Sequence, residues 1–237
     1  VFRRAVQECD AVWPIAPEMD DILLRITREI VAGGRTLLGS RPDAVAIAAS
    51  KRATATTLAR AGIAVAQVYS EEGDLPQGMS EIVAKPDDGA GCQETRLFGD
   101  RAKLRRWLRV QASVKHVFQP YIHGEARSLS LLCCDGRARL LACNRQNVKL
   151  EQGVFRFEGV SVNSVADKEG RYAALANAVC RALPGLWGYC GVDLIETETG
   201  PIVLEVNPRL TTSYAGLHRA IGINLAQLVL ELPGSLA

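Results

Sequence analysis

The sequence has no long apolar run and almost no excess of either charge. None of its apolar segments reaches the roughly 20 residues that a membrane-spanning helix needs, so we expect no membrane partner. The 28 lysines and arginines nearly balance the 26 aspartates and glutamates, for a net charge of +2. Because nucleic-acid binding depends on a clear basic excess, this balance predicts no nucleic-acid partner either.

Motifs built on cysteine, histidine or clustered glycine are also missing. The 7 cysteines and 3 histidines show neither a Cys-x-x-Cys pair nor the spacing of a zinc site. Thiols scattered through apolar segments indicate reduced cysteines and a cytoplasmic location. No glycine-rich turn ends in Gly-Lys-Ser/Thr, which excludes a Walker loop. The Gly-x-Gly-x-x-Gly fingerprint of a Rossmann-type dehydrogenase is absent too, although this class stays an alternative because a truncated N-terminus could hide it.

The order of predicted elements divides the chain into three parts of an α/β protein. Residues 1–48, the N-terminal layer, alternate helix and strand as a parallel βα layer does. Since this layer begins with a helix, we expect an N-terminally truncated chain that has lost an earlier strand. Residues 49–122 form a predicted small α+β lobe, with one of its strands over 63–69. Residues 123–237 predict a large lobe of antiparallel strands and helices.

Two apolar segments joined by a Gly- and Thr-rich turn predict a hairpin near the C-terminal end. Glu205 and Asn207 alternate onto one face, and Asp193 on the partner strand can meet them across the ladder. Carboxylate and amide oxygens are the ligands that Mg²⁺ takes beside phosphates, so these three residues predict a site for Mg²⁺ (or Mn²⁺). Arg209 would face the anion that the metal organises. A hairpin with ordinary surface charges is the alternative.

Lys85 ends an apolar strand, and a loop with Gly89, Ala90 and Gly91 follows it. A buried lysine is costly unless it meets an anion, and glycines let backbone amides approach a phosphate closely. The combination predicts a phosphate site. The alternative is a lysine that extends to solvent beside a simple hairpin turn.

These residues together resemble the ATP-grasp superfamily, in which an acidic residue on one strand faces Glu-x-Asn on the next and a lysine ends a strand before a glycine loop. Three further segments resemble one branch of the family, which includes tyramine–glutamate ligases of methanofuran biosynthesis: 15–18, 144–146 and 207–214. The resemblance covers essentially the whole chain. It implies an ATP-grasp fold preceded by a partial pre-grasp layer, with nucleotide between the small and large lobes.

The resemblance also implies which residues hold ATP. Lys51 and Lys85 would contact the phosphates, although Lys51 alone could be an exposed lysine at a helix start. Residues 119–122 resemble the hinge strand that reads adenine through backbone groups, and Pro120, which has no N–H, suits an edge strand. The ribose contact stays open, because the family's glutamate aligns better with Ala126 while Glu125 is one residue early. The implied ATP-binding residues are Lys51, Lys85, Gly89, Ala90, Gly91, Gln119, Pro120, Tyr121, Ile122 and Glu125.

The implied reaction joins a small-molecule carboxylate to an amine with ATP as co-substrate. The carboxylate, glutamate in this branch, would form an acyl phosphate and ADP, and an amine such as tyramine would then displace phosphate. Arg209 and Lys85 would act on the transferring phosphoryl group, with Arg145 as a further cation. Thr211, Thr212 and Ser213 precede a predicted helix whose amides could bind the substrate, unless Ser213 is a simple N-cap. A homodimer is expected, and a regulatory module that binds nucleotide without turnover is the alternative function.

Overall fold

The structure of the protein is a computed structural model that describes residues 2–111 and 114–232. Within those ranges every helix is too short or too polar to cross a bilayer. The helices are α1 Phe2–Gln7, α2 Ile22–Ala32, α3 Pro42–Ala48, α4 Lys51–Arg60, α5 Arg101–Leu108, α6 Arg171–Ala182, α7 Tyr214–Ile221 and α8 Leu225–Leu230. The strands are β1 Ala11–Val12, β2 Thr36–Leu37, β3 Ile82–Pro86, β4 Arg96–Phe98, β5 His116–Pro120, β6 Glu125–Cys134, β7 Arg137–Glu151, β8 Val154–Val165, β9 Gly188–Thr197 and β10 Gly200–Asn207.

The N-terminal layer contains a parallel pair of very short strands. β1 and β2 pair over two residues each, and α2 connects them, which confirms the predicted βα arrangement. β1 ends at Val12, and Pro14 and Pro17 beyond it lack the N–H that a ladder needs. The apolar side of α2 packs on α3 through Leu23 and Val45, both fully buried.

The other strands form one antiparallel sheet of eight strands, in the order β10-β9-β6-β7-β8-β4-β3-β5. The small-lobe strands β3, β4 and β5 continue the large-lobe sheet through a single pair, Arg96 with Val154. Because one sheet runs through both lobes, it does not mark a boundary between them, and the predicted lobe boundaries stay a prediction. The Rossmann-type alternative is wrong, since it needs a parallel sheet. Among the described residues only β1 and β2 pair in parallel, apart from the isolated bridge of Val65 with Val203.

The strand predicted over residues 63–69 is not formed. Instead, this segment makes two isolated bridges, Val65 with Val203 of β10 and Tyr69 with Phe118 of β5. These partners belong to the two outer strands of the sheet. Four residues span at most about 14 Å, so the two edges approach one another and the sheet must curve strongly. The concave space between its two ends is the cleft that holds the candidate site.

The convex, apolar face of the large lobe is covered by α6. Leu129 of β6 and Val192 and Leu194 of β9 are fully buried in one cluster with Val179 of α6. Since side chains alternate along a strand, Asp193 lies on the opposite face, toward the cleft. The hydrophobic core thus sets which face of each strand is left for polar side chains.

Candidate active site

The β9–β10 hairpin brings the predicted metal ligands together by means of a β-bulge. Val203 pairs with Leu194 and Glu205 pairs with Asp193, so Leu204 is an extra residue in the ladder. Without the bulge, strict alternation would put Glu205 on the same face as Val203, which is buried in the core. The bulge instead turns Glu205 onto the cleft face, directly opposite Asp193.

The two carboxylates lie in an environment that suits a cation. Partial burial, together with the neighbouring Glu205, raises the pKa of Asp193 well above its usual range. Burial would also raise the pKa of Glu205, but Lys51 and Lys85 outweigh that effect and lower it. Asp193 Oδ2 accepts a hydrogen bond from Asn207 Nδ2 at 3.3 Å, so the amide stands beside the pair.

These donors fit Mg²⁺ or Mn²⁺ by their chemistry. Two carboxylates and an amide offer hard oxygen ligands, and a divalent cation would relieve the repulsion between Asp193 and Glu205. Among the residues that the structure describes, no three His, Cys, Asp or Glu side chains converge as a metal site. The amide oxygen of Asn207, water or phosphate would therefore have to complete the coordination.

Two buried lysines face the same carboxylates. Lys51 begins α4, and its Nζ lies 3.4 Å from Glu205 Oε2 and 2.5 Å from the carbonyl oxygen of Gly89. Lys85, the fourth residue of β3, is 7% exposed. Burial and the charge of Lys51 lower the pKa of Lys85 to about 8. Both lysines thus face the cleft rather than solvent, and their contact with phosphates stays a prediction.

The glycine loop is anchored at its start by Asp87. The Asp87 carboxylate accepts hydrogen bonds from the Ser50 hydroxyl at 2.7 Å and from the backbone N–H of Arg52 at 3.0 Å. This contact joins the loop to the first turn of α4. The φ angles of Gly91 and Cys92 are 62° and 63°, in the left-handed region that a tight turn requires.

The first cavity, of about 270 Å³, lies between β3–β5 and the large lobe. Its outer part is apolar, with Tyr121, Phe155 and Ile195, while Lys85 and Glu205 form its inner end. β5 is an edge strand, as Pro120 indicated. The predicted ATP-binding residues that line this cavity are Lys51, Lys85, Gly89, Gln119, Pro120, Tyr121 and Ile122.

Glu125, one of the implied ATP-binding residues and a candidate for the open ribose contact, lies elsewhere. Its carboxylate pairs with Arg127 and with Arg145, on the face of the sheet opposite the cleft. Ala126, the next residue along β6, lines the first cavity instead. Side chains alternate along β6, so Ala126 faces the cavity and Glu125 does not. The prediction that Glu125 binds ATP is therefore corrected, and neither position supplies a carboxylate to the cavity.

A second cavity, of about 320 Å³, adjoins the first. Asp193 and Glu205 line both cavities and so form the boundary between them. Ala90 and Gly91 of the glycine loop line the second cavity rather than the first. The other predicted residues around the second cavity are Asn207, Arg209, Thr211, Thr212 and Ser213.

Two hydroxyls that line the second cavity, those of Thr211 and Ser213, belong to a cluster of hydroxyl groups. Tyr189 Oη lies 2.8 Å from Thr211 Oγ1, 2.9 Å from Ser213 Oγ and 3.1 Å from Ser130 Oγ. Ser213 stands at the N-cap position of α7, but its side chain makes no capping bond, unlike the simple N-cap that the sequence suggested. The backbone N–H of Tyr214 donates to the Thr211 carbonyl, and the next two amides bond back in the same way. The predicted anion site on the helix amides is therefore wrong, because those donors are already used.

Arg145 is not in the site, and its neighbour Gln146 is. The Arg145 guanidinium lies 2.5 Å from Glu125 and faces away from both cavities, so its predicted role as a further cation is corrected. Gln146 lines both cavities and donates from Nε2 to Asp193 Oδ1 at 2.8 Å. Asn144 and Gln146 share a face of β7 by alternation, and that pattern could have indicated Gln146 from the sequence. The prediction of Arg145 depended on its charge.

Arg209 lines the second cavity, and its guanidinium donates hydrogen bonds to groups that do not line that cavity. Its Nε and Nη2 donate to Glu18 Oε2 at 3.0 and 2.8 Å, and its Nη1 donates to the Leu210 carbonyl at 3.0 Å. Glu18 belongs to the N-terminal layer, 191 residues away in sequence. The layer therefore contributes to the surroundings of the site, which the sequence pattern of Ile15–Glu18 did not indicate.

Family models match almost all of the chain up to residue 213. Residues 48–213 match the model of the ATP-grasp domain, and residues 1–45 match that of the pre ATP-grasp 3 domain. Among curated proteins, the tyramine–L-glutamate ligase of Methanocaldococcus jannaschii is 27% identical over 95% of this chain and 63% of its own length. That of Methanocaldococcus fervens is 27% identical over 95% of this chain and 66% of its own. The chain thus spans somewhat less than two thirds of these relatives, and the resemblance to their branch is confirmed.

Solved structures show the same fold. An ATP-grasp superfamily protein from Archaeoglobus fulgidus is 25% identical and superposes with a TM-score of 0.74 over 97% of this chain and 68% of its own. The D-alanine–D-alanine ligase from Bacillus anthracis, in a complex with ATP, is 19% identical with a TM-score of 0.75 over 97% and 80%. At that identity the likeness concerns the fold alone.

Proposed function

The chain belongs to the ATP-grasp domain family, and on that premise we propose that it is an ATP-dependent ligase, which activates a carboxylate as an acyl phosphate and joins it to an amine. One observation carries the proposal: the first and second cavities meet at Asp193 and Glu205. A nucleotide in the first cavity would point its γ-phosphate at a substrate in the second. The apolar outer part of the first cavity suits a nucleobase, and the cation Arg209 in the second suits a carboxylate.

In the first step the chain's own residues neutralise and align charge. A substrate carboxylate oxygen bonds to the γ-phosphorus, the bond to the β–γ bridging oxygen breaks, and ADP leaves with that electron pair. Lys51 and Lys85 would bind the phosphate oxygens, and Arg209 would bind the carboxylate and the transferring phosphoryl group. A divalent cation on Asp193, Glu205 and Asn207 would supply further neutralisation of phosphate charge when bound.

In the second step an amine displaces phosphate. The amine nitrogen bonds to the acyl carbon, the bond from that carbon to the phosphate oxygen breaks, and the amine proton passes to the released phosphate or to water. No protein nucleophile is needed. Cys92 lines both cavities, but burial and the nearby Glu205 raise its pKa to about 11, so it is a neutral thiol at neutral pH. The loop 89–91 would exclude water from the acyl phosphate.

The names of the relatives suggest the substrates. We propose L-glutamate as the carboxylate and tyramine or a related amine as the nucleophile, in the manner of a methanofuran-type enzyme. A second cavity of about 320 Å³, with Arg209 and several hydroxyls in its wall, has room for an amino acid. The cytoplasmic location and the homodimer stay predictions from the sequence.

The test is an ADP-release assay with Mg-ATP, L-glutamate and a panel of amines that includes tyramine. We expect release of ADP that depends on both the carboxylate and the amine, with the amide product seen by mass spectrometry. Glu205→Gln should lower turnover by about 10²–10³-fold without changing the fold, because it removes a charge at the boundary of the two cavities. Glu198→Gln, at an exposed position in the turn of the same hairpin, is the matched control. A folded protein that releases no ADP with any pair of substrates would contradict the proposal.

A second candidate function is a regulatory module that binds nucleotide without turnover. The observation in its favour is that Glu125 and Arg145, both expected at the nucleotide, face away from the cleft. The same assay distinguishes the two candidates. Tight binding of ATP with no phosphate or ADP released under saturating glutamate and amine would support the module and exclude the ligase.

A further inference from the structure

We propose that Glu18 is the positioning residue for Arg209, so that the N-terminal layer helps to build the substrate-carboxylate site in the second cavity. This inference rests on the proposed function, because an oxyanion in that cavity is what the positioned guanidinium would bind. Glu18 would not touch the substrate. It would act through Arg209, by fixing the plane and direction of the guanidinium.

The hydrogen bonds define which part of Arg209 is left for a ligand. Glu18 Oε2 accepts from Nε and from Nη2, so the carboxylate lies along that edge of the guanidinium plane. The Leu210 carbonyl takes one N–H of Nη1. A guanidinium has five N–H groups, and the two that remain, one on each terminal nitrogen, have no partner among the described residues. Donors on the two terminal nitrogens can meet the two oxygens of a carboxylate.

The setting of Glu18 argues against a purely stabilising role. The residue is 6% exposed, and its Oε1 has no hydrogen-bond partner among the described residues. A buried ion pair with one oxygen unsatisfied is a poor way to stabilise a fold, since an apolar pair of similar size usually does as well. The contact instead orients Arg209. Its long, flexible side chain at the wall of the second cavity is hydrogen-bonded to Glu18 of the N-terminal layer.

The pair also explains how the two matched segments of the chain cooperate. The residues 48–213 contain Arg209 and the metal ligands, but the partner that orients Arg209 comes from residues 1–45. Affinity for the carboxylate substrate should therefore depend on a residue outside the ATP-grasp domain. Affinity for ATP should not, because Arg209, to which Glu18 bonds, lines the second cavity and not the first.

The kinetic test compares Glu18→Gln and Glu18→Asp with the parent protein in the full chain. We expect Glu18→Gln to raise the KM for L-glutamate at least tenfold and to leave the KM for ATP within twofold. Glu18→Asp, which keeps the charge, should restore part of the glutamate affinity. Asp21→Asn removes a charge from an exposed position of the same segment and serves as the control. An unchanged KM for L-glutamate, or an equal rise in both KM values, would overturn the proposal.

A binding experiment separates this inference from the ligase proposal. The Nε–H signal of Arg209 in ¹⁵N NMR spectra, assigned by its loss in Arg209→Lys, should exchange slowly with water in the parent protein and shift on titration with L-glutamate. In Glu18→Gln the signal should exchange rapidly and the shift should be lost, whether or not the protein turns over any substrate. A signal that is equally protected in both proteins would show that Glu18 does not position Arg209. If Glu18→Gln fails to fold by circular dichroism, Glu18→Asp gives the same comparison with a smaller effect.

Discussion

Gln146 donates a hydrogen bond from Nε2 to Asp193 Oδ1 at 2.8 Å, across strand β6, which lies between their own strands. The other oxygen of Asp193 accepts from the amide of Asn207. Both carboxylate oxygens are thus held by amide N–H groups before any cation arrives. Such outer contacts orient a ligand and favour its ionised form, which the repulsion from Glu205 otherwise opposes.

Gln146→Ala is therefore expected to raise the Mg²⁺ concentration needed for half-maximal ADP release by about 10–100-fold. The reason is that Asp193 loses one of the two donors that fix its carboxylate. The measurement is a Mg²⁺ titration at saturating ATP, with Gln77→Ala, at an exposed position, as the control. An unchanged Mg²⁺ requirement together with weaker ATP binding would place Gln146 at the nucleotide instead.

ATP binding without metal should weaken as the pH rises through about 8, because the pKa of Lys85 is lowered to about 8 by burial and by Lys51. Below that pH Lys85 carries its charge and attracts phosphate, and above it the charge is lost. We expect a fall of about tenfold or more in the association constant between pH 7.5 and pH 9.5, equivalent to about 1.4 kcal/mol or more. Calorimetric titration in EDTA gives the value. Lys85→Met should bind ATP weakly with no such dependence, and a parallel fall in that variant would rule out Lys85 as its source.

Gly124→Ala should lower the free energy of unfolding by about 1–3 kcal/mol. A Cβ at position 124 would lie 2.3 Å from the carbonyl oxygen of Glu196 and 2.5 Å from Ile195 Cγ2, and a strand carbonyl cannot move aside cheaply. Urea unfolding measures the change. The matched control is Gly73→Ala, where a Cβ would meet nothing within 4 Å. Equal stability of the two variants would mean that the approach of residue 124 to β9 is looser than described.

Tyr189→Phe should also destabilise the protein, by about 1–3 kcal/mol, because three hydroxyls lose a shared partner in a buried place. The altered positions of Thr211 and Ser213 should raise the KM for the carboxylate substrate more than the KM for ATP. Tyr69→Phe, in the small lobe, is the control for loss of a tyrosine hydroxyl. A destabilised variant with both KM values unchanged would show that the hydroxyl cluster supports the fold only.

Local patterns in the sequence account for several of the elements. Pro42 begins α3, and Asp100 caps α5 by accepting a hydrogen bond from the backbone N–H of Lys103 at 2.7 Å. The strand ending at Lys85 and the hairpin around Asp193 and Glu205 are formed as expected. These features depend on neighbours within a few residues, so the chemistry of adjacent side chains is enough to indicate them.

The sequence by itself determined the types of residue at the site and the turn that brings two carboxylates near one another. Only the tertiary structure decided which polar residues of the chain share the cleft. The bulge at Leu204 places Glu205 opposite Asp193, alternation along β6 and β7 turns Glu125 and Arg145 away, and Glu18 reaches Arg209 from 191 residues away. Register and long-range packing depend on the burial of whole strand faces, and that burial is a property of the assembled sheet rather than of any short segment.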